Sequence, residues 1–221
     1  MRDFLKTRLS DPQSFSGIRM IYLNPLTYLF FRRRLNLLSN ISVVRFDGIL
    51  MTVLMKLFYK YPFGRKSFDF TSLADVAFTE WSLNKKKIAI YGASDQDLEL
   101  FIKKIKVKYD IYIVDKCNGY MSNSHYVERS KEVNADVVLL GLGSKRQEIV
   151  CNDIFADTVV TCGAFITQTA NSHGLTYYPR WAKRSGFLWL YRVLMEKGHY
   201  KRLLPYPVFI MYFFKDFLWK K

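Results

Sequence analysis

Cysteine is scarce in this chain. Only Cys117, Cys151 and Cys162 occur among 221 residues, and an odd number without a close pair argues against both a disulfide framework and a zinc site. A reducing cytoplasm is the expected compartment. Acidic residues are also few, 19 against 34 Lys and Arg, for a formal charge of +15. The surface field therefore favours polyanions: nucleic acid, anionic lipid or diphosphate compounds. No stretch approaches the roughly 20 apolar residues of a spanning helix. Charges at Arg2, Asp3, Lys6 and Arg8, with no apolar run behind them, make a secretory leader unexpected. The three histidines, His125, His173 and His199, are scattered.

Half of the residues are hydrophobic, which excludes disorder and allows one substantial core. From residue 87, short apolar runs alternate with longer amphipathic stretches, the pattern of a parallel sheet with covered faces. The runs are KIAIYG (87–92), IYIVD (111–115), DVVLLG (136–141) and TVVTCG (158–163). Leu98, Phe101, Ile102 and Ile105 recur at i, i+3, i+4 and i+7, which predicts a helix laying one face on the sheet. Earlier, IRMIYLN (18–24) and ISVVRFDG (41–48) read as two more strands, with a basic helix from Pro25 to Leu38 between them. The expected fold is α/β, a Rossmann-like parallel sheet with helices on both faces.

Beyond about residue 177 the composition shifts. From Arg180 to Lys221 there are ten basic residues and two acidic ones, interleaved with aromatic and aliphatic side chains. This divides the chain into a core, 1–176, and a C-terminal appendage, 177–221. Pro205 and Pro207 are expected to interrupt any helix in LLPYPVFIMYFF (203–214). An interfacial segment that inserts Trp, Phe and Leu and sets Lys and Arg on lipid phosphates fits this composition. An ordinary packed C-terminal helix or an oligomer interface is the alternative.

Three motifs sit at expected strand ends. In YGASDQDLE (91–99), Gly92, Ala93 and Ser94 precede a helix, where backbone N–H groups can meet phosphate. Asp95 and Asp97 form an Asp-x-Asp, but Ser94 with Asp97 also makes a helix cap, and the cap needs no metal. In GLGSKRQE (141–148), Gly141 and Gly143 lie at the carboxyl end of the sheet, and Ser144 with Gln147 has capping-box spacing. A helix start flanked by Lys145 and Arg146 is an anion site as well. FDG (46–48) ends a strand on Asp47 and Gly48, which by itself reads as a turn.

The order of these motifs raises that last reading. Asn24 at a strand end, Asp47 and Gly48, Gly92, Gly119 and Tyr120, the block at 141–148, Gly-Ala-Phe at 163–165, YPRW and LWLYR (188–192) together resemble the WecB/TagA/CpsF glycosyltransferases from about residue 17 to about 205. The sequence departs from the family pattern at Tyr22, Lys145, Ile166, Leu188 and His199. The resemblance implies an inverting transfer of a sugar from a UDP-sugar to a polyprenyl-diphosphate-linked saccharide in bacterial surface polysaccharide synthesis, whether capsule, exopolysaccharide, teichoic acid or LPS-type. It places the catalytic base on Asp47 and donor contacts on Asn24, Gly48, Gly92, Ala93, Ser94, Gly141, Gly143, Ser144, Gln147 and Glu148. Contacts to the diphosphate or acceptor fall on Arg65, Asp69, Arg192, His199 and Arg202. It also implies a cytoplasmic protein bound peripherally to the inner face of the plasma membrane, with homo-oligomers compatible.

A base near the acceptor hydroxyl and fixed cations near the leaving diphosphate are what such a reaction needs. With the Asp-x-Asp read as a cap, no metal or other cofactor is expected, and the UDP-sugar is a substrate. Arg192, Arg202 and the helix start at Ser144 then take the diphosphate charge, so that docking of the appendage on a membrane completes the site. A noncatalytic nucleotide-sugar or lipid-binding subunit of an assembly complex is the second reading. Nucleic acid is not an expected partner, because no recognition motif is present.

Overall fold

A computed structural model describes residues 1–9, 14–176 and 204–218. Six parallel strands form one sheet: β1 (Arg19–Leu23), β2 (Val43–Phe46), β3 (Lys87–Gly92), β4 (Tyr112–Cys117), β5 (Val137–Gly141) and β6 (Thr158–Thr161), in the order β2-β1-β6-β5-β3-β4. Each run read as a strand from the sequence is one.

Both faces of the sheet are buried, which is why these strands read as unbroken apolar runs. Successive side chains point to opposite faces. Ile21, Leu23, Ala89, Tyr91, Val138 and Leu140 enter one core, and Met20, Tyr22, Ile88, Ile90, Val137 and Leu139 enter the other. The first core is covered by α1 (Arg2–Lys6), α2 (Pro25–Phe31), α3 (Ile49–Tyr59), α6 (Asn123–Val133) and α7 (Arg146–Asp153). The second lies under α4 (Leu73–Leu83), α5 (Asp95–Lys108) and α8 (Phe165–Ala170). On α5, Leu98, Phe101, Ile102 and Ile105 are the buried residues, as the periodicity requires.

The expected helix from Pro25 to Leu38 is shorter. The α-helix stops at Phe31, and Leu35–Leu38 form a separate 3-10 turn. Arg34 breaks the run at φ −134°, ψ 42°, with its guanidinium over the Phe30 ring and bonded to the Phe30 carbonyl at 2.9 Å. Arg32 turns away to pair with Asp216.

Asp216 belongs to α9 (Tyr206–Leu218), and this helix corrects the expectation for the prolines. Pro207 sits in its first turn and Pro205 just before it, where a missing N–H costs nothing. The Pro205 carbonyl accepts the Phe209 N–H at 2.9 Å. Phe209 and Phe213 are fully buried in the first core, with Phe209 edge-on to Tyr28 at 5.3 Å and Phe213 edge-on to Phe58 at 5.7 Å. Asp216 accepts from Tyr28 Oη and from Arg32 Nε, each at 3.0 Å. No helix among the described residues is long and apolar enough to cross a membrane.

Strand order reverses at two places. From β1 the chain steps outward to β2, and β6 later joins the other side of β1; from β3 it steps outward to β4, and β5 joins the other side of β3. At each reversal the helices that follow the two adjacent strands lie on opposite faces, α2 and α8 after β1 and β6, α7 and α5 after β5 and β3, so a crevice opens at the carboxyl ends of the strands.

Candidate active site at the carboxyl edge of the sheet

The β1/β6 crevice holds a cavity of about 150 Å³ lined by Asn24, Asp47, Asp69, Ser144, Gln147 and Glu148, with Tyr22, Ser67, Gly163 and Gln168 among its other walls. It is smaller than the roughly 300–1,000 Å³ of drug-sized ligand clefts, so a nucleotide sugar would have to extend out of it along the strand ends. These six residues, from four separate stretches of sequence, therefore meet at one point.

Asn24 ends β1 and caps α2. Its Oδ1 accepts from the N–H groups of Leu26 at 3.0 Å and Thr27 at 3.1 Å, which leaves its NH2 as the part able to meet a ligand. Asp47 ends β2, fixed by its N–H to the Leu23 carbonyl at 2.9 Å. Gly48 follows at φ +96°, where it starts α3, a backbone angle that a side chain would strain. Arg65 donates to Asp47 Oδ1 from Nε at 3.3 Å and from Nη2 at 3.1 Å. Asp69 is held by Ser67 Oγ at 2.6 Å, the Thr71 N–H at 2.8 Å and the Thr71 hydroxyl.

Across the cavity, the expected capping box does not form. Lys145, not Ser144, is the residue before α7, at φ +70°, and no side chain caps the helix. The Gln147 side chain is turned into the site instead. Its Oε1 accepts the Gly163 N–H at 3.0 Å, and its Nε2 donates to Glu148 Oε1 at 3.0 Å. Glu148 is 1% exposed. Burial pushes its carboxyl up to about 7, against the smaller opposing pull of the Gln147 amide and of nearby backbone N–H groups.

A family model described as Glycosyl transferase WecG/TagA/CpsF family matches residues 3–221. The chain belongs to this family. A relative from Shigella boydii, named UDP-Gal:alpha-D-GlcNAc-diphosphoundecaprenol beta-1,4-galactosyltransferase, is 33% identical over 224 residues, covering 96% of this chain and 92% of the relative. A relative from Bacillus subtilis (strain 168), named N-acetylglucosaminyldiphosphoundecaprenol N-acetyl-beta-D-mannosaminyltransferase, is 26% identical over 136 residues, 60% of this chain and 53% of its own length. A protein of the same name from Bacillus spizizenii is 26% identical over 182 residues. This WecG/TagA/CpsF protein is thus a glycosyltransferase, and its cavity is where the chemistry of the family has to be sought.

Several residues singled out from the sequence lie outside the cavity. Gly92, Ala93 and Ser94 sit at the β3/β5 crevice. A Cβ on Gly92 would stand 2.5 Å from the Gly141 carbonyl oxygen, so close strand packing already demands that glycine, while one on Gly141 would meet the movable Ile166 Cδ1 at 2.8 Å and the Gly163 carbonyl oxygen at 3.1 Å. Ala93 takes φ +57° and its carbonyl accepts the Gly119 N–H at 2.7 Å. Ser94 caps α5 through the Asp97 N–H at 3.1 Å. Asp95 and Asp97 are engaged separately, by Asn118 and by Asn171. No group of three or more His, Cys, Asp or Glu among the described residues is placed to hold a metal ion. Gly143, at φ +84°, lets the chain turn after β5. Arg192, His199 and Arg202 lie outside the described residues.

The structure adds Tyr22, Ser67 and Gln168 to the site. Tyr22 is two residues before Asn24 on β1, and burial pushes its hydroxyl far above the usual range. Ser67 and Gln168 carry no local signal, because folding alone brings them to the cavity.

Proposed function

We propose that this protein moves a hexose from a UDP-sugar to a sugar carried on a polyprenyl diphosphate, with inversion at the anomeric carbon. The observation that carries this reading is the Asp47 carboxylate. It stands at a strand end, with Arg65 beside it and the Gln147–Glu148 pair across a cavity at a topological switch point. The Shigella relative's name states a UDP-galactose donor and a diphosphoundecaprenol-linked acceptor, which agrees with that chemistry.

In this scheme Asp47 takes the proton of the acceptor hydroxyl as its oxygen bonds to the anomeric carbon. The bond to the UDP oxygen breaks on the opposite side, and UDP leaves with that electron pair. Arg65 keeps Asp47 oriented and places a cation beside it for developing phosphate charge. Arg192 and Arg202 of the segment 177–221 are the further cations assigned to the diphosphate.

A lipid-linked acceptor requires an approach to the bilayer, and two neighbouring helices offer it. Ile49, Val53 and Leu57 form an exposed stripe on α3, the helix that begins just after Asp47, and Val208, Met211 and Leu218 are exposed on α9. Lys56, Lys60 and Lys215 are exposed beside them. A basic residue near an anionic surface contributes about 1 kcal/mol, so peripheral attachment needs no spanning helix. The test is to incubate the protein with UDP-galactose and a short-chain polyprenyl-diphosphate N-acetylglucosamine, following the lipid product by mass. Gain of one hexose with inverted linkage is expected. UDP-galactose hydrolysis that leaves the lipid unchanged would refute the acceptor assignment.

A further inference from the structure

Among the described cavity residues, Glu148 is the one with a buried side-chain oxygen that has no hydrogen-bond partner, its Oε2. The carboxyl cannot turn away. Its Oε1 holds the Gln147 amide, whose other end is fixed on the Gly163 N–H. An unmade hydrogen bond on a group so deeply buried is costly unless a ligand makes it, so the geometry marks Oε2 as a ligand contact.

The charges around it set its protonation state. The titratable groups that share the cavity are Tyr22 of β1, Asp47 after β2, Asp69 after Ser67 and Cys162 after β6, and Cys151 lies one turn further along α7. The described cations near these elements are engaged elsewhere. Arg65 is on Asp47, Arg45 of β2 bonds the Tyr61 hydroxyl and lies over the Phe63 ring, Lys66 faces the same ring, Lys145 is over the Phe30 ring, and Arg146 is on the Gly119 and Met121 carbonyls. Arg19 bonds the carbonyls of Cys151 and Ile154 at the far end of α7. An anionic ligand entering this cavity would meet Asp47 and Asp69, and an ionised Glu148 would repel it further.

Resting on the nucleotide-sugar reading above, we propose that Glu148 binds the donor as a neutral acid, its Oε2–H donating to an oxygen of the donor diphosphate. The free carboxyl, raised by burial to about 7, is mostly protonated at pH 6 and mostly ionised at pH 8. The bound anion raises it further. Above pH 7 binding therefore draws one proton from solvent, and affinity falls as the pH rises.

The test is calorimetry of UDP-galactose binding, at pH 6 and pH 8, in buffers of different ionisation enthalpy. The diphosphate diester of this probe has no titrating proton in that range. For the wild type, uptake of close to one proton at pH 8 is expected, with a dissociation constant about tenfold weaker than at pH 6 from the loss of the competent form. Glu148→Gln also presents an N–H donor. It should keep the pH 6 affinity within about threefold and lose both the uptake and the pH slope. Uridine, which lacks the diphosphate, should bind without proton uptake. Wild-type binding without uptake at pH 8, or a slope that survives in Glu148→Gln, would overturn the proposal. Equal uptake with uridine would overturn the diphosphate contact. Failure of UDP-galactose to bind at either pH would instead remove the donor reading on which the proposal rests.

Discussion

Replacing Phe213 by alanine tests whether α9 is part of the fold or a loosely attached tail. The Phe213 ring is fully buried and meets Tyr28, Phe58, Tyr59, Phe209 and Phe214, which span α2, α3 and α9 itself. Truncating such a ring costs about 3–5 kcal/mol, through lost transfer energy and the cavity left behind. For a chain of this size each kcal/mol lowers the melting temperature by roughly 2–4 °C. The expected fall is therefore on the order of 6–20 °C by differential scanning calorimetry in detergent-free buffer. A melting temperature within 2 °C of wild type would show that α9 contributes little to the cooperative unit and would refute the packing argument. Asp216 supplies an independent control. Asp216→Ala removes the partner of Arg32 in a partly buried pair and of the Tyr28 hydroxyl, and leaving these groups unpaired costs about 1–3 kcal/mol.

Gly92→Ala should abolish soluble expression, since its Cβ would stand 2.5 Å from the Gly141 carbonyl oxygen; a soluble variant with native circular dichroism would refute the close approach. Gln147→Leu leaves the Gly163 N–H and Glu148 Oε1 unpaired, at about 1–3 kcal/mol each. Its denaturant midpoint should fall and UDP-galactose affinity should drop by tenfold or more, both read on one preparation. Arg65→Gln removes the cation beside Asp47. Because that pair is partly exposed its stability effect should stay near 1 kcal/mol, while turnover should fall at least tenfold in a coupled UDP-release assay.

The sheet was legible because burial on both faces writes each strand as a short apolar run, and α5 was legible because its four buried positions fall on one helical stripe. What failed did so for long-range reasons. The helix from Pro25 ends early where Arg32 reaches Asp216, 184 positions away, and no local pattern encodes that pairing. Pro205 and Pro207 read as breakers, since their place at a helix start depends on where α9 docks. The Ser144–Gln147 spacing suggested a cap, but Lys145 takes a left-handed turn and Gln147 is drawn into the cavity by the Gly163 N–H. In the site, Asn24, Asp47, Gln147 and Glu148 stood out through the order of motifs along the chain. Tyr22 stood out only as a departure from the family pattern, and Ser67 and Gln168 not at all, because only tertiary contact gives them a role. The glycine at 92 illustrates the opposite case, a motif residue whose need is met by packing against Gly141.

The most direct test of the account is to compare wild type with Asp47→Asn for UDP release from UDP-galactose in the presence of a polyprenyl-diphosphate N-acetylglucosamine acceptor, measuring UDP-galactose affinity on the same samples. Loss of the general base should reduce acceptor-dependent release by about 10²–10⁴-fold, with affinity for the donor retained because the amide fills the same space. Asp47→Asn turning over within threefold of wild type would contradict the assignment of the base.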